Sequence, residues 1–138
     1  MEPEQVEIIE GVYYICNPVH RNRTPQKSQW TIDEEQEKCA FLTTYKRHWI
    51  VDNDTGWGFH FENGQVTYLG VAKDHHTPVF LAKFVNDSNH DTWHGYPVNY
   101  QKNQQDKPDV QILRQWFDSK PISAAKVRKI MRGQPCSL

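Results

Sequence analysis

The chain has 138 residues, 37% of them hydrophobic, with no apolar run approaching the length of a membrane span, and its net charge of -1 provides no global electrostatic pull toward nucleic acid. Five Trp, six Tyr and six Phe bury large areas each, so one domain over residues 1–138 with an aromatic-rich core is expected, needing no disulfide or metal to fold. Cys16, Cys39 and Cys136 are odd in number and lack C-x-x-C spacing, which argues against a disulfide framework or zinc ribbon; with no signal-peptide pattern at the acidic start, a cytoplasmic setting without membrane attachment is expected.

Residues 6–16 are rich in β-branched and aromatic side chains, with Gly11 as a bulge or turn, and read as one or two short strands ended by Asn17-Pro18. The polar, basic stretch that follows, to Gln29, reads as an exposed loop. Thr31-Ile-Asp-Glu34 has capping-box spacing, which predicts a short helix to about Cys39. From Ala40 the texture is β, with short strands expected over 40–45, 48–52, 57–62, 65–71 and 78–85. Asn63-Gly64 predicts a two-residue type I′ hairpin, because both central positions need positive φ. Its register sets Phe61 opposite Val66, Phe59 opposite Tyr68 and Trp57 opposite Gly70 on an apolar face, with His60 and Thr67 toward solvent.

Two helices close the chain. Pro108 and Asp109 suit a first turn, and Val110, Leu113 and Phe117, with Ile112 and Trp116 beside them, form an apolar face. Ser123 is an N-cap and Gly133 a stop for the second helix, which sets Ala124, Val127, Ile130 and Met131 against Lys126, Arg128, Lys129 and Arg132. The expected fold is therefore α+β: an antiparallel sheet of about five short strands packed against two C-terminal helices, plus a short helix before the sheet.

Residues 86–97 concentrate chemistry: His90, Asp91 and His94 stand beside Trp93 and Tyr96 in a stretch without helical or strand periodicity. It is read as a loop anchored by its two rings, since a disordered segment would not repay the ordering of Trp and Tyr. If the sheet were an up-and-down meander, the turn at 45–48 would bring Lys46, Arg47 and His48 to His90, Asp91 and His94. His75 and His76 would then lie roughly 26 Å away, at the other end of a strand of eight residues. Two histidines, a carboxylate to orient one ring and cations to hold an anion form a set for general acid–base work on a phosphodiester.

His90 and His94 are four apart, but Gly95 and Pro97 argue against the helix that a zinc pair would need, and Asp52-Asn-Asp54 lacks the distal Glu of a calcium loop. No metal or cofactor is expected. No G-x-S-x-G or Gly-rich phosphate loop is present, and no cysteine has a visible activating partner.

The leading functional expectation is a small binding or regulatory module. Trp93, Tyr96, Lys46 and Arg47 would meet the ligand, while Lys126, Lys129 and Arg132 on the basic last helix would meet a protein or nucleic-acid partner. One alternative is a hydrolase or nuclease using His94, His90, Asp91 and His48; another is a helix-turn-helix nucleic-acid binder. The plain structural reading of 86–97 is that its rings anchor the chain and its histidines hydrogen-bond the backbone.

Overall fold

Gly11, at φ +78°, reverses the chain between β1 (Gln5–Ile9) and β2 (Val12–Ile15), which pair antiparallel at the edge of the main sheet. The computed structural model describes residues 5–87, 91–136 and 138. The sheet has six strands, in the order β1, β2, β11 (Thr92–Val98), β10 (Leu81–Asn86), β5 (Thr55–Gly58) and β4 (Ile50–Val51). Every pairing is antiparallel except β2 with β11, where Thr92 lies opposite Tyr13 and Trp93 opposite Tyr14. The fold is thus α+β with its sheet before two C-terminal helices, but β11 sits between β2 and β10, which overturns the simple meander.

Residues 92–98 are a strand, not the expected loop. Phe84 on β10 faces Gly95, and a Cβ at Gly95 would come within 2.3 Å of the Phe84 ring and 3.0 Å of the Tyr14 hydroxyl. Alternation then sorts the two faces. Trp93 and Gly95 share one face with Phe84 and Ala82, whereas His94, Tyr96 and Val98 share the other with Val85, Lys83 and Leu81.

The first face is covered by α1 (Glu34–Lys46), whose Phe41 ring packs 5.4 Å from Trp93 and 5.5 Å from Phe84. A Cβ at Gly58 would lie 1.9 Å from the Thr44 hydroxyl, so only glycine admits the helix at that depth. The capping box is Asp33 with Gln36, two residues beyond the expected Thr31–Glu34 pair. The helix also runs seven residues past Cys39, absorbing the expected strand 40–45. Its β-branched threonines gave that stretch a strand-like composition, but Ala40, Phe41 and Thr44 are buried on one helical face, and Thr44 satisfies its hydroxyl on the Ala40 carbonyl at 2.9 Å.

The hairpin of β6 (His60–Glu62) and β7 (Gln65–Thr67) has the expected turn, with Asn63 at φ 52° and Gly64 at φ 78°, and Phe61 opposite Val66. Its pairing stops at His60 and Thr67. Beyond it Gly70 joins a separate three-stranded sheet of β3 (Gln29–Trp30), β8 (Gly70–Val71) and β9 (Pro78–Val79). Tyr68 is therefore exposed, and His60, expected at the solvent, is buried with Nε2 3.2 Å from Glu62.

Helices α2 (Val110–Ser119) and α3 (Ala124–Met131) pack on the second face. Asp109 and Ser123 cap them, accepting from the amides of Gln111 and Lys126. Ile112, Leu113 and Trp116 turn inward with Val127 and Ile130, onto Trp57, Leu81 and Val98. Val110, Phe117 and Met131, expected on the apolar faces, are exposed at 51%, 37% and 39%. No helix among the described residues is long and apolar enough to cross a membrane.

Replacing Gly95 by Ala is expected to lower stability by about 1–3 kcal/mol in a denaturant melt, because the added methyl must displace a ring beneath α1. An Ala variant as stable as the parent would contradict this packing.

Candidate functional site

The 17–29 segment, expected as an exposed loop, is cross-braced by its own polar groups. Asn17 accepts from the Val19 amide at 3.1 Å, opening a short 3-10 turn, Pro18–His20. Buried Gln29 donates to the carbonyls of Val19 and Lys27 and accepts from the Arg23 amide at 2.8 Å. Arg21 reaches further, donating to the Ile32 carbonyl at 2.9 Å and forming two bonds to Glu37 of α1, at 2.7 and 3.2 Å. Glu37 is fully buried and also accepts from the Tyr14 hydroxyl at 2.5 Å. Burial lifts its carboxyl above the usual range, against the opposing pull of Tyr14 and Arg21.

This bracing holds His20 against the open part of the second sheet face. Its ring stacks on Tyr96 at 5.2 Å and 14°, and Nδ1 donates to the Ser28 carbonyl at 2.8 Å. On β11, His94 donates through Nδ1 to Asp87 at 3.0 Å. A carbonyl and a carboxylate only accept, so both rings carry their Nδ1 proton there; Nε2 has no hydrogen bond among the described residues and is the nitrogen left for a ligand.

Both imidazoles line a cleft of about 590 Å³, within the range of small-molecule sites. Its floor is His94, Tyr96 and Val98; its walls come from 17–20, 26–28, 72–74 and 99–106. Lys83 fixes the last wall, donating to the Gln105 carbonyl at 2.8 Å and lying 3.8 Å from the Asp106 carboxylate, while the Trp57 indole donates to the Asp106 carbonyl. The His75 ring donates to the Lys27 carbonyl at 2.9 Å, linking the 72–77 turn to the opposite wall.

Of the two carboxylates in the lining among the described residues, Asp106 faces Lys83, and Asp74 accepts from the Thr77 hydroxyl and from the amides of Thr77 and His76, which hold its pKa well below the usual range. Lys27, Lys73 and Lys102 have no ion-pair partner among the described residues. The cleft is therefore polar, rich in neutral amides and locally cationic. Burial, with the nearby Asp106 charge, pushes the Tyr96 phenol up to about 12, so it stays protonated.

The residues singled out from sequence divide. His94 and Tyr96 line the cleft; Trp93, on the opposite face, is fully buried beneath α1. Asp91 is half-buried just before β11, its carbonyl accepting from the Tyr13 amide, and His90 lies outside the described residues. Lys46, Arg47 and His48 do not line the cleft. They end α1, with Arg47 over the Trp49 ring and the His48 carbonyl accepting from Gln115. Lys126, Lys129 and Arg132 belong to α3 and its C-cap, Lys126 half-buried and the others exposed, and none reaches the cleft.

Sequence reasoning missed His20, Lys27, Lys73 and Lys102; the compact Asn17-Pro18 turn start was the one local hint at His20. Among the described residues no group of three His, Cys, Asp or Glu could hold a metal. No protein-family model, curated protein or solved structure matches the chain, so function is read from the site's own chemistry.

Two outcomes check this assembly. Arg21→Ala leaves the Glu37 charge buried without its cation and is expected to cost about 3–5 kcal/mol in a denaturant melt. His20 has its pKa lowered, first by burial and then by Lys27 and His94, so its neutral form stabilises the fold above the ordinary imidazole value. That contribution is lost as pH falls through the lowered value, and His20→Gln should flatten the stability loss below about pH 6.5.

Proposed function

We propose that the protein is a binding module for a small phosphate-bearing ligand held in this cleft. The observation that carries the reading is the gathering of Lys27, Lys73 and Lys102, free of acidic partners among the described residues, in a cleft lined by two imidazoles. Lysines at such a rim hold phosphate as point charges, and His Nε2 atoms add directed hydrogen bonds. The neutral amides of Asn17, Asn99, Asn103 and Gln105 suit the uncharged body of the ligand. A cytoplasmic setting goes with this reading, since all three cysteines are free thiols.

Adenosine monophosphate and inorganic phosphate are suitable probes. Titration calorimetry should show binding that weakens with added salt, and each of Lys27→Gln and Lys73→Gln should weaken it by about 3–10-fold without changing the melting temperature. No binding of either probe at low salt, or binding indifferent to all three lysines, would overturn the proposal.

The exposed Arg128, Lys129 and Arg132 favour a second contact surface for a protein or nucleic-acid partner, because Val127 and Ile130 on the same helix are fully buried and leave the basic side free. If that partner is duplex DNA, affinity should fall steeply with salt and drop in a Lys129→Glu, Arg132→Glu double variant, read by fluorescence anisotropy.

A further inference from the structure

We propose that His20 and His94 are a proton-transfer pair that cleaves a ribonucleotide phosphodiester in this cleft, forming a 2′,3′-cyclic phosphate. The inference rests on the phosphate-binding reading above and adds a reaction to it. What singles out the two histidines is that both line one cleft and both engage Nδ1 with a fixed acceptor, Ser28 for His20 and Asp87 for His94, leaving the outer nitrogen of each ring for a substrate. Their supports are independent. His94 stands on a central strand, while His20 stands on a turn braced by Gln29 and Arg21 and stacked on Tyr96. Two separately anchored imidazoles can act on opposite sides of one phosphorus, as acid and base must.

The nucleophile is argued from the lining. Among the described residues it contains no cysteine, and its side-chain hydroxyls are those of Ser28, buried, and Tyr96, held protonated. A hydroxyl carried by the substrate next to the phosphate removes the need for a protein nucleophile, and the ribose 2′-hydroxyl is such a group.

In the step, the 2′ oxygen forms a bond to phosphorus as its proton passes to His20 Nε2. The bond from phosphorus to the 5′ oxygen breaks, and the leaving oxygen takes a proton from His94 Nε2. No electrons are transferred and no water is consumed; the products are a cyclic phosphate and a free 5′-hydroxyl, and solvent exchange restores both rings. Burial and the nearby Lys27 and His94 favour neutral His20, the form a base needs, and Asp87 provides a counter-charge to protonated His94. Lys27, Lys73 and Lys102 are placed to stabilise the charge that builds on the phosphoryl oxygens.

The test uses the full chain with uridylyl-3′,5′-adenosine as substrate and its 2′-deoxy analogue as an uncleavable binding probe. Chromatography should show uridine 2′,3′-cyclic phosphate and adenosine in equal amounts, with the deoxy analogue bound but intact. His94→Gln and His20→Gln should each lower turnover by about 100-fold or more, at least about ten times more than they weaken binding of the deoxy analogue. If His20→Gln melts early, His94→Gln carries the result, since His94 is only half-buried on its strand. Deoxy analogue bound without cleavage of the ribonucleotide would overturn the reaction and leave the binding reading standing; neither compound bound would overturn both. Cleavage of the deoxy analogue, or turnover unchanged in His94→Gln, would also refute the pair.

Discussion

The carboxylate of Glu37 is the interaction on which the cleft side of the molecule depends. An unpaired charge at that depth would cost several kcal/mol, and it is offset by the Tyr14 hydroxyl from β2 and two nitrogens of Arg21. Three pieces of chain far apart in sequence, the second strand, the 17–29 excursion and α1, are thereby tied at one buried point. Arg21 spends a third nitrogen on the Ile32 carbonyl, just before the Asp33 cap, so the same residue secures the helix start and the cleft wall. Cys16, beside this cluster, is pushed up to about 12 by burial and then by Glu37, and remains a neutral thiol that adds no second charge.

The division of labour between the two sheet faces follows from side-chain size. On the first face Gly58 lets α1 sit close and Gly95 leaves room for the Phe84 ring and the Tyr14 hydroxyl, and Trp93, Phe84 and Phe41 fill the remaining space. The second face receives two short helices that cover Trp57, Leu81 and Val98 but leave His94 and much of Tyr96 uncovered. The cleft is the remainder of that face, roofed from the side by the 17–29 excursion. Its position is therefore set by how far α2 and α3 extend, not by any feature of the two histidines themselves.

Features fixed by neighbours in sequence were legible before the fold was known. The Asn63-Gly64 turn, the reversal at Gly11 and the cap at Ser123 all depend on residues a few positions apart, whereas Asp109, expected with Pro108 inside the first turn, is itself the cap. Residues 92–98 were not legible, because Gly95 and Pro97 are unfavourable in a central strand. The sheet resolves the conflict locally: β2 pairs with β11 only at Thr92 and Trp93, so at Pro97 one side of the strand is already an edge and a missing N–H costs little. The 17–29 stretch looked solvated since its polar side chains find partners that composition does not reveal, Arg21 with Glu37 sixteen residues on and Gln29 with carbonyls at two sites. Of the residues singled out around 86–97, His94 and Tyr96 share the cleft because strand alternation sets them on one face and Trp93 on the other, while their companions come from loops that only tertiary structure joins to them.

Side chains around the cleft fall into two mechanical classes. His20, His94 and Tyr96 are held by stacking, fixed acceptors or strand pairing, so their ring positions are set before any ligand arrives. Lys27, Lys73 and Lys102 are exposed at the rim on long stems, without ion pairs among the described residues to hold them. A fixed floor with adjustable cations suits a ligand whose phosphate must be placed accurately while its remaining body varies. Selectivity for that body then falls to the rim amides, of which Asn17 and Asn99 have their oxygens held by the Val19 and Gln101 amides and so offer their NH2 groups as donors; the loops that carry them are where related binding preferences would be tuned without disturbing the Glu37 brace.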